Sequence, residues 1–257
     1  MRSFYRLLNI EFAKWLVMIV PVCAIAIAAP LILLQRKLRH YSEFTVNERY
    51  EDVFAASGSG LLYAGMLVVV CGYFLLRQYA DYWGSKSIYT YLTLPVKREY
   101  LYFSRLLVLL TGLLLLLASI VIGIRIGYAL YASKVAGYGD GQFVMHNGYF
   151  LAVIRSDLFR LILPLSFSRI ISSLGLLTAL ATGLYNAVLC ERSRQWIALI
   201  AVAAAAGTIF WVVGYRLNEE ANMHEPTHLY ISSALLFALS GWFVWHSLRT
   251  IRSGAIA

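Results

Sequence analysis

Six long apolar runs constrain the fold of this 257-residue chain more than any other feature of its sequence. As a helix, which rises about 1.5 Å per residue, each run is long enough to cross a hydrocarbon layer of about 30 Å. Lipid offers the backbone no hydrogen-bond partners, so each run must satisfy its own amide and carbonyl groups by forming a helix. We place the runs at Trp15–Leu34, Ser59–Leu76, Leu106–Tyr128, Ile162–Leu189, Trp196–Tyr215 and Leu229–Leu248. The fourth run is long enough to tilt or to break near Pro164.

The composition agrees with a membrane protein and leaves no room for a separate soluble domain. Apolar residues make up 60% of the chain and charged residues only 14%, and the mean hydropathy is +0.69. A soluble protein of this length cannot hide so much apolar surface in a core. We therefore predict an all-α polytopic membrane protein, in which residues 1–257 form a single domain with six transmembrane helices.

The segment before the first run has the spacing of an amphipathic helix. Phe4, Leu7, Leu8 and Phe12 share one face, and the charged residues lie elsewhere. This pattern predicts a short N-terminal helix over residues 1–14 that lies in the membrane interface. The alternative is a simple extension of the first transmembrane helix.

The net charge of +9 is divided unevenly between alternate loops. If the N-terminus is cytoplasmic, the cytoplasmic segments hold 12 Lys and Arg against four acidic residues, and the opposite segments hold eight against nine. This is the positive-inside distribution. It predicts a multi-pass protein of the cytoplasmic membrane with both termini in the cytoplasm. The basic excess is then expected to meet anionic membrane lipid rather than nucleic acid.

The longest cytoplasmic segment, residues 77–105, combines aromatic and basic side chains. The stretch from Asp81 to Leu94 can form one or two short helices, and Pro95 ends it. Aromatic side chains flanked by charges are typical of anchors at protein interfaces, and equally typical of the aromatic belt at a membrane surface. The candidate interface residues are Asp81, Tyr82, Trp83, Tyr89, Tyr91, Leu94, Pro95, Lys97 and Arg98.

Polar residues within the runs are the next candidates, because ionisable groups are costly in a membrane. No Asp or Glu lies in any of the six runs, which argues against a carrier driven by protons or sodium through membrane carboxylates. Arg169 lies within the fourth run beside several serines. This polar stripe predicts a translocation path or a helix contact, although Arg169 can also snorkel to the interface. The candidate path residues are Ser166, Arg169, Ser172 and Ser173.

One catalytic pattern is present. His224-Glu225-Pro226-Thr227-His228 matches the H-E-x-x-H string of zinc proteases, which needs both histidines on one helix face. Pro226 disrupts a helix interior and fits better in the first turn of the sixth helix, with His224 outside it. No Asp or Glu follows His228 as a further ligand. We expect no metal site, and a membrane zinc hydrolase using His224, Glu225 and His228 is the alternative to a transport function.

The order of these parts resembles the membrane subunit of ABC-2 type transporters, the permeases of one class of ABC exporter. In that family the N-terminal segment carries an acidic residue followed by basic ones, as Glu11 and Lys14 do here. The loop after the second helix has a tyrosine- or leucine-bearing stretch, then Leu-Pro-Val with basic residues, then a Lys or Arg before the third helix. Residues 88–98 and Arg105 match that order.

The resemblance implies an exporter permease that catalyses no reaction and binds no cofactor itself. It implies an ABC ATPase subunit, present in two copies, which carries ATP and magnesium and docks on residues 77–105, the coupling segment. It also implies a second permease subunit, identical or paralogous. Peptide antibiotics, lipids and lipid-linked precursors are all compatible substrates. A membrane scaffold for a sensor, without transport, is a third hypothesis.

Overall fold

Helices form nearly all of the chain that can be described. The structure is a computed structural model that describes residues 2–39, 48–81, 98–136, 148–194, 196–217 and 227–252. These ranges contain nine α-helices and no strand. The helices are α1 (Arg2–Arg39), α2 (Tyr50–Ala56), α3 (Ser59–Tyr79), α4 (Arg98–Val135), α5 (Tyr149–Arg155), α6 (Asp157–Ile162), α7 (Phe167–Arg192), α8 (Trp196–Leu217) and α9 (Thr227–Arg252).

Six of these helices, α1, α3, α4, α7, α8 and α9, are long and apolar enough to cross a membrane. The predicted all-α, multi-pass membrane fold is therefore confirmed. Two ion pairs link the ends of α1, α4 and α9: Glu11 of α1 meets Arg105 of α4, and Arg252 of α9 meets Glu99 of α4. The start of α1 and the end of α9 thus lie at one end of the bundle. We call it the terminal end, and the opposite end the distal end.

The predicted separate helix over residues 1–14 is not found, because residues 2–14 are the first turns of α1. That helix is continuous over 38 residues. It is about 57 Å long at about 1.5 Å per residue, nearly twice the thickness of a hydrocarbon layer of about 30 Å. Its buried stripe begins at Leu7 and continues through Glu11, Trp15 and Ile19. The face that we assigned to lipid headgroups therefore packs partly against protein.

Two pairs of parallel helices form the centre of the bundle. In the first pair, α1 and α4, a side chain at Gly112 would lie 3.3 Å from the Trp15 ring, and one at Gly123 would lie 3.3 Å from the Ala26 carbonyl oxygen. In the second pair, α7 and α9, Gly183 faces the ring of Phe243. Small residues let helix backbones approach closely in lipid, where packing rather than hydrophobicity holds helices together.

Of the two possibilities left open for the fourth run, a tilt or a break near Pro164, the structure has the break. Ser156 caps the start of α6 by accepting a hydrogen bond from the Phe159 amide at 3.4 Å. The chain then leaves helical geometry between Ile162 and Phe167, around Pro164. The fourth membrane span therefore begins at Phe167, five residues later than predicted, because proline cannot continue the helix.

At the distal end, α2 is inserted among the longer helices. Tyr50 and Phe54 are fully buried, and the Tyr50 hydroxyl donates to the Ile124 carbonyl of α4 at 2.8 Å. Gly58, which joins α2 to α3, has a φ of 78°, a backbone conformation that favours glycine. The described ends of the coupling segment, residues 77–81 and 98–105, lie at the terminal end, and they contribute to the site described next.

Candidate functional site

A buried cluster of charged side chains lies at the terminal end, between the two described ends of the coupling segment, residues 77–81 and 98–105. The Arg105 guanidinium is 2% exposed. It donates to Oδ2 of Asp81 at 2.5 Å and to Oε1 of Gln78 at 2.6 Å. Its Nε lies 3.8 Å from Oε1 of Glu11. The cluster thus joins α1, the end of α3 and the second turn of α4.

The positions of the cluster residues on α1 and α3 explain why their side chains meet. Glu11 lies on the buried stripe of α1, so its carboxylate faces α4 rather than solvent. Gln78 belongs to the last turn of α3, and Ala80 and Asp81 continue that helix as a π-helical turn. Such turns are frequent at functional sites. Here the turn directs the Asp81 carboxylate onto Arg105.

The charges of the cluster balance. Glu11 and Asp81 oppose Arg105 and Lys14, whose Nζ lies 3.9 Å from Oε1 of Glu11. Removing two charges from water is expensive, and their attraction repays that cost only with good geometry and further hydrogen bonds. Gln78 supplies one such bond. The arrangement therefore fixes the relative positions of three helices more than it adds to stability.

The four acidic residues that the structure describes at the terminal end are all engaged within the chain. Glu11 and Asp81 belong to the cluster; Glu99 accepts from Nε of Arg252 at 2.8 Å; and Glu191 accepts a hydrogen bond from the Tyr79 hydroxyl. The other charged residues that the structure describes at this end are all basic.

These contacts fix both ends of the coupling segment. Asp81 anchors its start to Arg105, and Glu99 anchors its return to Arg252. The described residues on either side of positions 82–97 are thus linked to α4 and to α9. Within the predicted interface, Asp81 is buried in the cluster and Arg98 begins α4. The remaining predicted interface residues lie outside the described residues: Tyr82, Trp83, Tyr89, Tyr91, Leu94, Pro95 and Lys97.

The predicted translocation stripe is not one continuous surface. Ser166 is exposed before the start of α7, whereas Ser172 is fully buried. Ser173 accepts a hydrogen bond from Arg216 at 2.8 Å. Arg169 lies in the first turn of α7, nearer the distal end than predicted, because the helix begins only after Pro164. A role for these residues in translocation stays a prediction.

Arg216 was not singled out by the sequence, although it is 2% exposed. Besides Ser173, it donates to the carbonyl oxygens of Arg160 and Leu161 at 3.3 and 3.1 Å. It therefore caps the end of α6 and ties that helix to α7 and α8. From the sequence, an arginine at the end of an apolar run is expected to extend its side chain to the membrane surface. The sequence does not show that Arg216 instead binds carbonyl oxygens of α6.

The described residues do not form a metal site around the H-E-x-x-H string. His228 is the second residue of α9, and its ring contacts the Tyr215 ring edge-on at 6.3 Å. His224 and Glu225 lie outside the described residues. No group of three His, Cys, Asp or Glu side chains within the described ranges is placed to hold a metal.

Comparison with known proteins yields no match to any protein-family model, curated protein or solved structure.

Proposed function

We propose that this chain is the permease subunit of an ABC-2 type exporter, with its terminal end in the cytoplasm. The multi-pass helical fold is the architecture that such a subunit needs. The positive-inside count and the basic character of the terminal end support the orientation. A separate ATPase supplies ATP hydrolysis, and a second permease subunit completes the membrane part.

One observation carries the proposal. The resemblance selects Glu11 and Arg105 from two separate motifs, one before the first membrane helix and one before the third. In the structure these two residues meet, with Arg105 Nε 3.8 Å from Glu11 Oε1, at the root of the coupling segment. Two independently selected motif residues thus form one buried site with Asp81, where a docking segment has to be anchored.

The cluster suggests how a movement of the ATPase reaches the membrane helices. An ATPase that binds the aromatic part of the coupling segment displaces residues 82–97 when it binds and hydrolyses ATP. The displacement passes through Asp81 to Arg105 of α4 and on to Glu11 of α1, since the three side chains are in contact. Both helices then carry it towards the distal end. The ATPase acts by contacting two states of the bundle differently and so shifting their populations.

The test is to isolate the chain from its native membrane in mild detergent and identify the proteins that accompany it. We expect an ABC ATPase in equal amount. A photo-crosslinking amino acid at Trp83 should capture that ATPase, and one at the exposed distal residue Asp52 should not. Absence of an ATPase, or equal capture from both positions, would contradict the proposal.

A further inference from the structure

The end of α3 contacts both helix pairs of the bundle. Gln78 and Asp81 bind Arg105 of the α1/α4 pair. Tyr79, which lies between them in the sequence, donates its hydroxyl to Oε2 of Glu191, in the last turn of α7. Successive helical residues point about 100° apart, since 3.6 residues make one turn. The same turn of α3 therefore contacts two different neighbours.

The helix that receives Tyr79 is joined firmly to α9. Oδ1 of the fully buried Asn186 lies 3.0 Å from His246 Nδ1 and accepts from the Ser247 hydroxyl at 3.3 Å. Gly175 and Gly183 let α9 approach α7 closely on the same side. A displacement of the α7 terminus therefore moves α7 and α9 together.

The α7 helix also reaches the distal end. Its 26 residues span about 39 Å at about 1.5 Å per residue. Near its start, Ser173 accepts from Arg216, which also binds the carbonyl oxygens at the end of α6. The α7 helix thus connects the Tyr79–Glu191 contact at the terminal end with the Ser173–Arg216 contact near the distal end.

A second link between the helix pairs, Glu99 with Arg252, is less suited to transmit a displacement. The Arg252 side chain is 65% exposed, and exposed ion pairs contribute little because water and salt screen them. The Tyr79–Glu191 contact is partly buried, and a hydroxyl that donates to a carboxylate makes one of the stronger hydrogen bonds in proteins.

We infer that Glu191 is a positioning residue that couples the coupling segment to α7 and α9, with Tyr79 as its partner. The segment then drives both helix pairs: one through Asp81 and Arg105, the other through Tyr79 and Glu191. This inference rests on the proposed function and extends it to helices that the coupling segment does not enter.

The test uses the complex of this chain with its co-purified ATPase in lipid nanodiscs. Tyr79→Phe removes only the donating hydroxyl. We expect the ATPase to remain bound, because the Tyr79 hydroxyl contacts Glu191 of α7 and Tyr79 is not one of the predicted interface residues. Substrate stimulation of ATP hydrolysis should fall about tenfold or more, the shift expected when a hydrogen bond to a charged group is lost. The matched control is Tyr73→Phe on the same helix, whose ring packs on Trp15; it should behave as wild type.

A rescue separates coupling from a merely structural role. In a chain whose three native cysteines are replaced by serine, Tyr79→Cys with Glu191→Cys should be uncoupled. Bridging the two thiols with a short bifunctional maleimide should restore stimulation. If Tyr79→Phe retains wild-type stimulation, or bridging restores none, the inference is overturned. If no ATPase accompanies the wild-type chain, the proposed function fails first, and the inference with it.

Discussion

Arg105 and Asp81 are 24 residues apart in the sequence, yet their side chains meet at 2.5 Å in a site that excludes most water. We predict that Arg105→Met lowers the free energy of unfolding by about 3–5 kcal/mol, because it leaves the buried Asp81 carboxylate without this partner. Thermal unfolding of the purified protein in detergent, followed by circular dichroism, measures the loss.

Two variants test that explanation. Lys14→Met removes a partly exposed cation 3.9 Å from Glu11 and should cost less than about 1 kcal/mol. The triple variant Arg105→Met/Asp81→Leu/Glu11→Met replaces the charges with apolar groups and should recover most of the loss. A triple variant as unstable as Arg105→Met alone would contradict the assignment.

Gly127 is a position on α4 where an added side chain would force its neighbours to shift. A Cβ there would lie 2.8 Å from the Tyr50 hydroxyl and 3.3 Å from Leu34. We predict that Gly127→Ala destabilises the protein by about 1–3 kcal/mol, the usual cost of overpacking. The midpoint of thermal unfolding should fall accordingly.

The surroundings of another glycine provide the control for Gly127. Gly65 lies in α3, and a methyl group added there would meet no atom within 4 Å, so Gly65→Ala should stabilise the helix by about 1 kcal/mol. Gly127→Ala should cost less in a Tyr50→Phe background than in the wild type, since the nearest atom is then absent; the Tyr50→Phe single variant measures the separate cost of losing the hydrogen bond to Ile124. Equal effects of the two alanine variants would show that steric contact with Tyr50 is not the cause.

The membrane helices could be predicted because a bilayer restricts the chain to so few structures. Their partners could not. Residues 2–14 show a 3.6-residue period whether their apolar face meets lipid headgroups or α4, so the pattern did not reveal that Leu7 and Glu11 pack inside the protein. The depth of Arg169 was likewise misjudged, since the apolar run continues through the break at Pro164.

The site was predicted only in part. Glu11 and Arg105 stood out as charged residues in two motifs, but their contact depends on the register of α1 against α4, which sequence spacing does not fix. Gln78 gave no signal, because an uncharged residue at the end of an apolar run has many possible roles. The Tyr79–Glu191 contact joins two helices that are separated by 112 residues.

The turn between α7 and α8 contains a strained residue. Arg194 has a φ of 55°, a left-handed conformation that costs residues other than glycine about 1–2 kcal/mol. We predict that Arg194→Gly raises the free energy of unfolding by about 1 kcal/mol. The neighbouring Ser193 has a φ of −77°, so Ser193→Gly should bring no gain. A gain from Ser193→Gly, or none from Arg194→Gly, would exclude relief of backbone strain as the mechanism.

The orientation of the bundle can be tested with exposed positions at its two ends. In a chain without native cysteines, Asp52→Cys lies at the distal end and Arg194→Cys at the terminal end. A thiol reagent that does not cross membranes should label Asp52→Cys in intact cells, and label Arg194→Cys only after the membrane is opened. Labelling of both from the same side would contradict the six-span topology, and the reverse pattern would invert the orientation.

The last prediction concerns the aromatic residues of the coupling segment, which are its candidate anchors. Truncating one buried aromatic anchor at an interface typically costs about 2 kcal/mol or more, roughly a thirtyfold loss of affinity. We therefore expect Trp83→Ala to weaken ATPase binding by about that factor, measured by titrating purified ATPase onto the chain in nanodiscs. Its thermal unfolding midpoint should stay near wild type, unlike that of Arg105→Met. The control is Trp196→Ala, which removes a tryptophan that is 65% exposed at the start of α8, at the terminal end but outside the segment. Equal weakening by both variants would indicate a general effect of interfacial tryptophans on membrane placement, because only Trp83 is predicted to enter the partner.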